Sequence, residues 1–320
     1  MTGFSLAEIT ELTSPDGGRF AVRNAVEAKE FCKNITKSHY ENFPVGSLLI
    51  NKNDREHFYS VYTFARIADD ISDEFGDKEE LRIKTLDSMA WLADEAAGAG
   101  GGSTNPLLLA LQETMEAKSI PPEPLKKLLI AFKRDILFRQ PRNFADLDDY
   151  CVYTADPIGE LVLRISGEYN AITAPLSDKI CTGLQLVNFW QDFSRDLSGG
   201  RLYVPADIMI SYNIMPADLI ARKPNIGNLP GMLRELYSET EKYFTSGSSI
   251  LKNISRARLR AELALTIRGG LFILEKTKNF GISILHSRPK LKKINLLKLI
   301  ILALIDGFTF KNRTGGLRKS

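Results

Sequence analysis

The chain has 320 residues, 44% of them hydrophobic and 25% charged, with 42 basic against 39 acidic residues and a net charge of +3. This is ordinary globular composition, large enough for one substantial core, and the near balance of charge gives no whole-molecule field for nucleic acid. Three cysteines and three histidines stand singly and without zinc-ligand spacing; the odd cysteine count argues against a disulfide framework and for a reduced, cytoplasmic setting.

The N-terminal stretch MTGFSLAEITELTSPDGG has neither a cationic start nor an apolar run, so it does not read as a signal peptide, and residues 1–29 read as a loose lead-in. From there helical spacing of apolar residues dominates, over 54–73, 78–97, 124–138, 158–168, 179–196, 229–254 and 258–280. Breakers separate these helices: AGAGGGSTNP at 97–106, then 119–124 and 140–143. Strand-like alternation is almost absent. The expectation is all-α, one domain over 1–320 with roughly eight to eleven helices. The tail 291–320 is basic and then apolar. Its run LLKLIILALIDGFTF, at 296–310, is too short to span a bilayer and is interrupted by Lys298 and Asp306. It packs as a last helix, or it lies on an anionic membrane surface as a peripheral contact at the inner face.

Two of the predicted helices carry unusual polar groups. In SVYTFARIADDISDE (60–74), Asp69 and Asp73 are four apart and share a helix face, with Asp70 beside them. Their repulsion calls for a neutralising partner, for which a divalent cation serves. Arg66 lies three and four residues before Asp69 and Asp70. Taken alone, the triplet also reads as a solvated helix face. In QLVNFWQDFSRD (185–196), Gln185, Asn188, Asp192 and Asp196 form one polar stripe on an otherwise apolar helix. Such a helix is buried around its stripe, and the stripe then needs a wet or ionic partner. The donors are all oxygens, which suits Mg²⁺ bridged to a diphosphate. Arg195 beside Asp192 reads as a plain surface bridge.

The pair ARIADDISDE and NFWQDFSRD resembles the two aspartate-rich motifs of the squalene/phytoene synthase family. The likeness continues through SHYENFPVGSLL (38–49), DYCVYTADPIGELVL (149–163), GGRLYVP (199–205) and GGLFILEKTKNFGISILHSRPKL (269–291), so it spans about 30 to 295. HYENFP, TADPIG and the closing RPKL are most similar to the bacterial hydroxysqualene synthases within that family. The resemblance implies a single-domain isoprenoid synthase fold, with both motifs lining a central apolar cavity. It implies presqualene diphosphate and water as substrates, hydroxysqualene and diphosphate as products, roughly two or three Mg²⁺ ions and no NADPH. By the same resemblance Asp69, Asp73, Asn188, Asp192 and Asp196 bind Mg²⁺, with Asp70 a further member of the first motif. Ser38, His39 and Arg66 touch the diphosphate and Arg201 positions it, while Tyr150, Gln185 and Tyr203 line the reacting carbons or hold the diphosphate. Aromatic faces such as Phe43, Tyr62, Phe64 and Phe189 are candidates to shield the cation.

Two positions depart from the family pattern: Gln191 where arginine is common, and Arg195 where glutamate is usual. Gln191 would favour a substrate with one diphosphate over two farnesyl diphosphates. Partners beyond the prenyl diphosphate would be other enzymes of the pathway. The alternatives are condensation of two farnesyl diphosphates to presqualene diphosphate, squalene or dehydrosqualene on the same fold, and a non-catalytic helical binding or assembly protein.

Overall fold

The computed structural model of the chain describes residues 3–38, 51–73, 76, 78–98, 102–223 and 226–289. Fifteen α-helices and no strand occur among them. They fall into two compact units, Met1–Leu137 with Glu160–Tyr169, and Phe138–Gly159 with Asn170–Ser320.

The first unit is built from α1 (Leu6–Leu12), α2 (Ala25–Ser38), α3 (Arg55–Asp73), α4 (Glu79–Ala97), α5 (Pro106–Lys118) and α6 (Glu123–Ile136). Residues from the second half of α8 (Asp156–Ile165) also count with it. Helix α1 starts at a capping box, in which Ser5 Oγ accepts from Glu8 N and Glu8 Oε2 accepts from Ser5 N at 2.8 Å. Asn105 caps α5 and does more. Its Oδ1 accepts from Leu107 N and Leu108 N, while its Nδ2 donates to Leu12 O and Ser14 O, both at 2.7 Å. A fully buried amide that satisfies four groups ties the N-terminal segment to the bundle. Phe64, Ile67, Ala68 and Ile71 of α3 enter the core beside Leu86, Met89, Leu107 and Leu111. The apolar face of α3 therefore turns inward at three- and four-residue spacing, as the sequence predicts.

The second unit contains α7 (Phe144–Thr154), α9 (Thr173–Gln191), α10 (Phe193–Ser198), α11 (Ala206–Ser211), α12 (Pro216–Ile220), α13 (Leu229–Gly247), α14 (Ile250–Asn253) and α15 (Ala257–Phe280). A short 3₁₀ turn, Gly281–Leu285, follows. Helices α9, α13 and α15 pack on one another. Trp190 of α9 is buried and its Nε1 donates to Thr240 Oγ1 of α13 at 2.8 Å. Gly183 and Gly270 sit in helix interiors, where glycine costs about 1 kcal/mol relative to alanine. The ring of Phe244 explains them: a Cβ on Gly183 would meet it at 3.2 Å and one on Gly270 at 2.7 Å.

The stretch predicted as one helix over 179–196 is two, because the chain breaks at Asp192. Likewise 229–254 is α13 followed by α14. The structure has more helices than roughly eight to eleven because several have only four to seven residues, too short to show a hydrophobic period. The three cysteines are free, as expected, and burial pushes the Cys32 and Cys181 thiols up to about 12. No helix of the described residues is long and apolar enough to cross a membrane. The apolar tail at 296–310 and its expected membrane contact lie outside the described residues.

Glu262 on α15 is partly buried, and that burial alone pushes its carboxyl up from 4.5 to about 7. A carboxyl with a raised folded-state value binds its proton more tightly folded than unfolded. Stability is therefore lost as pH rises from the unfolded value through about 7. Glu262→Gln is expected to raise the Tm at pH 8 by about 5 °C and to change it little at pH 5, read by thermal melts at both pH values.

Candidate functional site

The first aspartate motif occupies the last two turns of α3. Asp70 points inward and is 2% exposed, paired with Arg66 Nη2, while Arg66 Nη1 donates to Asp69 Oδ2 at 2.9 Å. Thus one arginine bridges two carboxylates of the motif, at the three- and four-residue spacings visible in the sequence. Asp73 is exposed. Burial first, and then the charge of Asp73, push the Asp69 carboxyl up to about 6; Arg66 opposes them, and Asp70 and Asp135 add to the rise. Asp135, on α6, was not singled out from sequence, because nothing in linear spacing ties it to α3.

The C-terminal end of α3 is held by Arg82 of α4. Its guanidinium donates to Ile71 O at 2.9 Å, to Gly76 O at 3.0 Å and to Ser72 O. A cation placed on the last carbonyls of a helix complements both the unpaired acceptors and the dipole. The end of the motif helix is therefore fixed by a buried side chain from its neighbour. Ser38, at the end of α2, is exposed and donates to Ile35 O at 2.8 Å. His39 and Phe43 lie outside the described residues. Phe64 is fully buried in the core, whereas Tyr62 is half-buried.

The second motif straddles the junction of α9 and α10. Gln185 is half-buried and Asn188 exposed on α9. Asp192 closes α9, its N–H bonded to Asn188 O at 2.8 Å, and its own carbonyl accepts from Arg195 N and Asp196 N at 2.8 and 3.0 Å. The backbone thus carries the polar stripe through the break. Burial, and next the charge of Asp192, raise the Asp196 carboxyl to about 7; Arg201, Arg195 and Arg288 pull it back. Arg195 is exposed and 3.9 Å from Asp192 Oδ2, the weak surface bridge its spacing predicts.

Asp196, Arg201 and Tyr203 line one small cleft together with Phe189, Trp190 and Val204. Its aromatic side is ordered. Phe189 and Tyr203 stack with centroids 3.9 Å apart, Tyr150 lies 5.8 Å from Phe189 and 6.2 Å from Tyr203, and Phe138 meets Tyr203 edge-on at 5.1 Å. Five residues singled out in the sequence, Tyr150, Phe189, Asp196, Arg201 and Tyr203, are therefore gathered here. The sequence assigns no role to Phe138 or Arg288, although Arg288 stands in the closing RPKL motif.

The donor set fits Mg²⁺. Each motif offers carboxylates one turn apart whose mutual repulsion is only partly offset, and all donors are oxygens. Among the described residues no three His, Cys, Asp or Glu side chains converge to enclose an ion.

Residues 36–295 match the family model described as squalene/phytoene synthase. A hydroxysqualene synthase of Sinorhizobium fredii is 32% identical over 71% of this chain and 76% of its own length. One from Rhodopseudomonas palustris is 30% identical over 70% and 75%. The crystal structure of squalene synthase HpnC from Alicyclobacillus acidocaldarius superposes with a TM-score of 0.73 at 36% identity, covering 79% of this chain and 93% of that one. The chain belongs to the squalene/phytoene synthase family, and it is an all-α enzyme of the squalene and hopanoid kind of isoprenoid synthase.

Proposed function

We propose that the enzyme converts presqualene diphosphate and water into hydroxysqualene and diphosphate, with Mg²⁺ and without a nicotinamide. The observation that carries the reaction class is the cleft of the second motif, where the Asp196 carboxylate and Arg201 stand beside stacked Phe189 and Tyr203. Carboxylate, guanidinium and aromatic faces are the groups needed to hold a metal diphosphate and to face a carbocation. The choice of substrate is supported by the two relatives named hydroxysqualene synthases.

We assign Asp69, Asp73, Asn188, Asp192 and Asp196 to hold Mg²⁺, which when bound neutralises the leaving diphosphate. Arg201 orients the diphosphate, with Ser38 and His39 as further contacts. Arg66 already bonds Asp69 and Asp70, so we assign it first to aiming those carboxylates. Tyr150, Tyr203 and Gln185 shape the wall against which the cation rearranges before water captures it. Condensation of farnesyl diphosphate is the second reading, favoured by the description of the solved relative as a squalene synthase.

Diphosphate release from each substrate, measured with Mg²⁺ and after EDTA, tests the proposal. Presqualene diphosphate should be consumed and farnesyl diphosphate left intact, and EDTA should abolish release until Mg²⁺ is restored. Steady consumption of farnesyl diphosphate would move the enzyme to the condensing reading.

A further inference from the structure

After the 3₁₀ turn Gly281–Leu285, the chain runs back over the second motif. Gln191 Nε2 donates to Pro289 O at 2.8 Å, and Pro289 is buried. This places the Arg288 guanidinium against the Asp192 carboxylate as an ion pair, Nε to Oδ1. These two atoms are shut off from solvent and neither has a hydrogen-bond partner, although the Arg288 and Asp192 side chains as wholes are 36% and 24% exposed. The pairing is one of charge alone. Arg195, the other cation near Asp192, is 68% exposed and reaches the opposite oxygen at 3.9 Å.

We propose that Arg288 competes with a divalent metal for Asp192: its guanidinium is paired with the inner oxygen of that carboxylate, and a metal must displace it to bind there. Asp192 is half-buried and stands beside Asp196, so a cation held against it by the strap 286–289 offsets the repulsion between the two carboxylates. A hydrogen-bonded fork would resist displacement, whereas a contact held by charge alone yields to a dication. The inference rests on the magnesium assignment to Asp192 made above.

The test is binding of metal alone, with no substrate, by titration calorimetry with Mg²⁺ and by the resonance of free Mn²⁺. Arg288→Gln should tighten metal binding by about tenfold, since the competitor is gone. Arg195→Gln, which removes an exposed charge, should tighten it by no more than about twofold. Arg288→Lys should stay near the wild-type value. Gln191→Ala, which keeps Arg288 but unhooks Pro289, should show a smaller gain of about threefold and serves if Arg288→Gln does not fold. A gain in Arg288→Gln no larger than in Arg195→Gln would reduce Arg288 to background charge and overturn the inference while leaving the magnesium assignment standing. Absence of metal binding by the wild-type enzyme would take down both.

Discussion

Asp192→Asn is expected to lower turnover by about a thousandfold, or about 4 kcal/mol of barrier, with the fold intact. The backbone at Asp192 is held by its own N–H and carbonyl, which bond to Asn188, Arg195 and Asp196 whatever the side chain carries. Asparagine keeps the volume of the residue and removes only its charge. What is lost is the carboxylate beside Asp196 that we propose as a metal ligand, and with it the counter-charge of Arg288. Steady-state kinetics across Mg²⁺ concentrations should show a large fall in kcat that excess metal does not restore, with a Tm within a few degrees of wild type. Wild-type turnover in this variant would remove Asp192 from the site.

Arg82→Met is expected to destabilise the first unit by about 3–5 kcal/mol, the usual cost of removing one partner from a buried charged network. Methionine keeps much of the apolar stem but leaves the carbonyls of Ile71, Ser72 and Gly76 without the donor that closes α3. A Tm lowered by about 10 °C follows for a unit of this size. The damage should also reach the chemistry, because Asp73 is the last residue of the helix that Arg82 caps. Arg82→Lys, with one compact cation in place of a fork, should recover only part of the loss. Thermal melts of the three proteins decide it; an unchanged Tm in Arg82→Met would mean that the carbonyls find other donors.

Much of this was legible in the sequence because helices declare themselves by spacing. The apolar face of α3 and the Arg66 bridge to Asp69 and Asp70 follow from three- and four-residue steps. Spacing did not reveal that Asp70 is the buried member of the triplet, since that depends on which side of α3 meets α5 and α6. The break at Asp192 was hidden because the apolar pattern continues through Phe193 and Leu197, both buried. Arg82, Asp135 and Arg288 act across elements, 11, 66 and 96 residues from Ile71, Asp69 and Asp192. No local pattern encodes such a contact. The aromatic cluster was half visible: Phe189 and the two tyrosines stood in recognisable motifs, while Phe138 lies in none of them.

The most direct test of the central claim is an incubation of the purified enzyme with Mg²⁺ and presqualene diphosphate in ¹⁸O-labelled water, without NADPH, followed by mass spectrometry of the extracted lipid. The expected product is hydroxysqualene whose hydroxyl carries the heavy oxygen, with no product when farnesyl diphosphate is supplied in its place. An unlabelled alcohol, a hydrocarbon, or presqualene diphosphate formed from farnesyl diphosphate would contradict that claim.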